Sequence, residues 1–123
     1  MNNLVLSGVP EYGSEEWEVN FDDNSNKVID WLDAIAQEHG IESSVWSMWN
    51  FRDFTAIPFP GITRMKYDGS WGEPCGTNVP ENATWLDLWK AADALIKKSG
   101  DDHHIFIELM YVDDSVITFS CGS

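Results

Sequence analysis

The sequence predicts an α+β fold, a single domain in which a mostly antiparallel sheet carries two packed helices, at about 25–39 and 85–99, and ends in a C-terminal β-hairpin. Three observations carry that prediction. Two stretches repeat apolar residues at helical spacing and each stops at a glycine, Gly40 and Gly100. Several shorter runs, rich in aromatic and β-branched residues, are bounded by turn residues as strands are. With 123 residues, 43% of them apolar, the chain is long enough for one genuine core and is far from the composition of a disordered acidic tail.

Leu4-Val5-Leu6 has the character of a short strand ended by Gly8 and Pro10. Trp17, Val19 and Phe21 then alternate with Glu16, Glu18 and Asn20, the pattern of a half-buried strand with an acidic outer face. From Ser25, a suitable N-cap, Val28, Leu32, Ile35, Ala36 and His39 recur on one helical face, with Asp30, Asp33 and Gln37 opposite and Glu38 at the margin. The aromatic run from Val45 to Phe54 and the segment Ile62 to Tyr67 suit strands separated by Pro58 and Pro60-Gly61. Residues 68–80 carry turn chemistry at almost every position and predict a long loop.

Thr84 and Asp87 form an approximate capping box before the second helix, which also explains Asn82-Ala83-Thr84 better than glycosylation does. Its predicted buried stripe is Trp85, Leu88, Trp89, Ala92, Leu95 and Ile96, with Lys97 and Lys98 placed well against the C-terminal dipole. The hairpin runs from Ile105 to Val112 and from Ser115 to Cys121 around Asp113-Asp114. Its first strand is apolar on both faces apart from Glu108 and is expected to be central and covered on both sides.

Charge narrows function more than any motif does. Twenty-one acidic residues against seven basic ones give a formal net charge of −14. Residues 1–42 hold ten acids and one base, Lys27; residues 43–80 are neutral; residues 81–123 hold eight acids and three bases. Direct binding to nucleic acid or to an anionic membrane needs lysines and arginines that this chain lacks. A basic protein is the favoured partner. No basic leader and no apolar run of membrane-spanning length is present, so a cytoplasmic protein with Cys75 and Cys121 as reduced thiols is expected.

Glu15, Glu16, Glu18, Asp22 and Asp23, joined by Asp30, Asp33 and Glu38, are the candidate binding face. They lack the alternating carboxylates and central glycine of a calcium loop, and their plainest alternative is a solvated acidic surface. Trp71, between polar loop residues and glycine, is the candidate aromatic anchor, with a packed loop staple as the alternative. Such a face suits an inhibitor or immunity-type protein that blocks a nuclease toxin or a nucleic-acid-binding defence effector, as anti-CRISPR and anti-restriction proteins do, by presenting charge where nucleic acid would bind. For scale, a duplex as long as this globule is wide carries about 20 phosphate charges.

A second class, a small enzyme or a ligand or metal site, rests on Asp101, Asp102, His103, His104 and Glu108 beneath the loop from Gly69 to Pro80. Imidazoles beside carboxylates bind divalent metals or move protons near neutral pH. Adjacent strand residues point to opposite faces, however, and Asp-Asp after Gly100 also reads as an ordinary polar turn. No nucleophile signature surrounds Cys75, no phosphate-binding loop occurs, and no cofactor is implied.

Overall fold

Helix α3 (Trp85–Ser99) forms where the periodicity places it. Thr84 Oγ1 accepts from the Asp87 amide at 3.2 Å while the Asp87 carboxylate accepts from the Thr84 amide at 3.1 Å, a complete capping box. Gly100, at φ 85°, closes the helix in the left-handed conformation. Leu88, Trp89, Ala92, Leu95 and Ile96 are buried as predicted, whereas Trp85 is only half-buried, edge-on to Phe59 at 5.7 Å. Thr84→Ala is expected to cost about 1 kcal/mol. Thermal unfolding followed by circular dichroism should show a midpoint lower by roughly 4 °C, with Thr84→Ser close to wild type.

The computed structural model describes residues 4–45, 52–69, 72–100 and 105–122. The elements other than α3 are α1 (Glu15–Val19), α2 (Phe21–His39), β1 (Ser44–Val45), β2 (Arg64–Tyr67), β3 (Cys75–Asn78), β4 (Phe106–Asp113) and β5 (Val116–Gly122). The five strands form one sheet in the order β1-β4-β5-β2-β3. The α+β class stands, but the sheet is mixed. β4 with β5 and β2 with β3 are antiparallel, whereas β1 with β4 and β2 with β5 are parallel. The parallel contact arises because the chain returns through α3 and the C-terminal hairpin to insert β5 beside β2.

The segment predicted as a strand at residues 16–21 is helical. Ser14 Oγ accepts from the Trp17 amide at 3.2 Å, and Glu15, Glu16 and Glu18 stand in the first turn, where the helix dipole favours anions. A period of two in three apolar residues misled because only Trp17 is buried, at 1% exposure. Helix α2 likewise begins at Phe21, four residues before Ser25, with Asn20 at its N-cap. Asn24, inside that first turn and 4% exposed, donates its side-chain amide to the Trp17 carbonyl at 3.1 Å. This bond ties the end of α1 to the start of α2.

Residues 4–6 form no named strand. Val5 makes one bridge with Asp53, flanked by Leu6 N–H to Arg52 O at 2.7 Å and Phe54 N–H to Leu4 O at 2.8 Å. The predicted loop at residues 68–80 contains β3, whose polar sequence is recruited by pairing with β2, including Arg64 Nη1 to Asn78 Oδ1 at 3.1 Å. Turn propensity yields there to tertiary context.

The central strand is β5, not β4. Ile117 and Phe119 are fully buried and Thr118 nearly so, while on β4 Leu109, Tyr111 and Val112 are exposed. Register explains the burial of β5: it pairs with β4 along most of its length and with β2 from Ile117 to Phe119, three of its most deeply buried residues, whereas the described pairing of β1 with β4 lies at Phe106 and Ile107. The hairpin turn is Asp114-Ser115, both at positive φ, one residue beyond the predicted position. The core gathers around Phe54, 1% exposed, which lies 5.2 Å from Trp31 of α2 and stacks at 5.4 Å on Trp89 of α3. Cys75 and Cys121 are free thiols.

Candidate functional site

The corner between α1 and α2 concentrates the acidic candidates. Glu15, Glu16, Glu18, Asp22 and Asp23 are all exposed there, and Asp30, Asp33 and Glu38 are exposed further along α2. At 100° per residue Asp22, Asp23, Asp30 and Asp33 share one stripe of α2, with Glu38 at its margin. From Asp22 to Glu38 the helix rises about 24 Å, so the charged face is wide enough for a protein partner. Among the described residues, Glu15, Glu16, Glu18, Asp22, Asp23, Asp30 and Asp33 make no ion pair; the two ion pairs described both use Lys97.

Exposed apolar residues are interleaved with these carboxylates. Val19 is 79% exposed, Tyr12 56% and Phe21 48%. Tyr12 and Phe21 flank the buried Trp17 ring, which meets Tyr12 edge-on at 5.4 Å and Phe21 edge-on at 6.3 Å. Trp17 therefore holds Tyr12 and Phe21 in place from beneath. Val19, Phe21, Glu18, Asp22 and Asp23 also line an open depression of about 410 Å³ at the helix junction. No family model, curated protein or solved structure matches the chain.

First-turn acids stabilise helix N-termini, and that alone accounts for the placing of Glu15, Glu16, Asp22 and Asp23. It does not account for an aromatic ring and a valine held out among them. The sequence patterning assigned Val19 and Phe21 to a buried strand face and so missed them as surface groups. The overlooked signal was Ser14-Glu15-Glu16, a cap followed by acids.

Trp71 lies outside the described residues, as do Asp101, Asp102, His103 and His104. Glu108 is described: exposed at a bulge between Ile107 and Leu109, it lies over Gly122, where an added Cβ would fall 2.5 Å from the carboxyl carbon. Among the described residues no group of three or more His, Cys, Asp or Glu side chains is arranged to hold a metal ion. No described helix is long and apolar enough to cross a membrane.

A second polar cluster has a structural role. Asp93 of α3, 6% exposed, accepts from the Ser43 amide at 2.8 Å and the Glu42 amide at 3.1 Å, and pairs with Lys97 at 3.1 Å. Burial works to raise its carboxyl pKa, but hydrogen bonds from the Ser43 side chain and amide, from Lys97 and from the Glu42 amide outweigh it and hold the group below its ordinary value. Ser43 Oγ also accepts from Trp89 Nε1 at 3.2 Å. Cys75 Sγ, within 3.3 Å of the Leu95 carbonyl, is pushed up by burial, with Lys98 opposing, which suits a structural thiol more than a nucleophile.

Proposed function

We propose that this chain is a non-enzymatic binding protein that blocks a basic macromolecular partner, a nuclease toxin or a nucleic-acid-binding defence effector, in the cytoplasm. The observation that carries the reading is the exposure of Val19, Tyr12 and Phe21 beside Glu15, Glu16, Glu18, Asp22 and Asp23, carboxylates that make no ion pair among the described residues. Charge steers association and apolar anchors slow dissociation, and an inhibitory surface needs both. A nuclease or effector surface must be basic to hold nucleic acid, so an acidic face of this width competes with the natural ligand for the same site.

The test begins with affinity capture from the native host and proceeds to kinetics on the purified complex. Affinity is expected to fall at least about tenfold between 50 and 200 mM salt, mainly through the association rate. Glu16→Lys with Asp22→Lys should slow association, while Phe21→Ala should speed dissociation by about tenfold. Binding that ignores salt and both changes would overturn the reading.

A further inference from the structure

Beside the acidic stripe, α2, β1 and the start of β4 enclose a cleft of about 250 Å³. Its lining includes Ile29, Leu32, Asp33, Ala36, Trp89 and Phe106. On α2, Ile29, Asp33 and Ala36 follow a line one position off the buried stripe of Val28, Leu32 and Ile35, so this is the shoulder of the helix and not its core face. Ile29 is 47% exposed, an apolar residue left at the lip. The cleft is smaller than the roughly 300–1,000 Å³ typical of small-molecule sites and matches a single inserted side chain.

We propose that this cleft takes an arginine side chain of the basic partner, an inference that rests on the reading of the chain as a binder of basic proteins. Ile29, Leu32 and Ala36 offer apolar wall to the methylene stem. The half-buried Phe106 supplies aromatic surface to a guanidinium group, which a lysine ammonium would use less well, while the buried Trp89 closes the floor. Asp33 provides a carboxylate that has no ion pair among the described residues and can accept the guanidinium fork in bidentate fashion. Charge complementarity thus selects the occupant: an apolar slot with one carboxylate, set in a face that already attracts cations.

The probes are three blocked hexapeptides alternating glycine with arginine, lysine or citrulline, titrated into the whole protein and followed by methyl and indole NMR. The arginine peptide should bind tightest and shift the Ile29 methyl and Trp89 indole N–H signals. Asp33→Asn should weaken it about tenfold, whereas Asp30→Asn, which removes the same charge outside the cleft, should change it less than about twofold. Filling the slot with Ala36→Leu should remove the preference for arginine over lysine. Arginine binding that maps instead to residues 12–23, with both asparagine variants alike, overturns the cleft and leaves the acidic corner standing. If no cationic peptide binds at low salt, both the cleft and the underlying reading fail.

Discussion

Replacing Phe54 with alanine is expected to cost about 3–5 kcal/mol, the range for removing a fully buried aromatic ring. The ring is 1% exposed and fills the space between Trp31 and Trp89, the largest side chains that α2 and α3 contribute to the core. Its backbone is equally committed: the amide donates to Leu4 O at 2.8 Å and the carbonyl accepts from the Leu86 amide at 3.1 Å. The N-terminal segment, both long helices and the chain before β2 therefore meet at one residue. Urea unfolding should show a lower midpoint with little change in slope, and Phe54→Leu should recover most of the loss. Ile57→Ala, at a side chain 46% exposed, is the control and should change stability by less than about 0.5 kcal/mol.

The second large effect belongs to Asp93. Asp93→Ala leaves the amides of Glu42 and Ser43 without their acceptor and Lys97 without its nearer-buried partner, a loss of about 3 kcal/mol, or roughly 10 °C in midpoint. Asp93→Asn keeps one acceptor oxygen and should lose about half as much. The pH dependence follows from the lowered pKa. The unfolded state binds a proton on this carboxyl before the folded state does, so the contribution is fully present above the unfolded value of about 3.9 and is lost as pH falls through the folded value. Wild type should therefore lose stability below about pH 4 more steeply than Asp93→Asn. Parallel acid-unfolding curves for the two proteins would contradict this.

Helix α3 and the hairpin were legible because local and tertiary preferences agree. Thr84, Asp87 and Gly100 mark the helix ends, and the apolar stripe between them is buried almost as written. The hairpin's two strands formed with the turn displaced by one residue. Where the two levels part, the sequence misled. Trp17, Val19 and Phe21 fit an alternating strand, yet a serine cap and three glutamates make the first of them the buried face of a five-residue helix. β3 is invisible because Gly76 and Asn78 disfavour strands and Thr77 by itself does not outweigh them; the strand forms in pairing with β2. The acidic corner was legible as charge but not as a surface with apolar anchors, since those residues had been assigned to the interior.

The sheet order has a consequence for how the protein is made. β5, the last strand in chain order, lies in the middle, so β4 and the β2–β3 pair stay unconnected until residues 116–122 have been synthesised. Until then the apolar faces of Met65, Tyr67 and Ile107, all buried in the finished fold, have no strand between them to pack beside. Long-range pairing of this kind slows folding. A nascent chain with its sheet still open is exposed to aggregation, and the heavy negative charge of the first third, already translated by that stage, supplies repulsion between neighbouring copies during that interval.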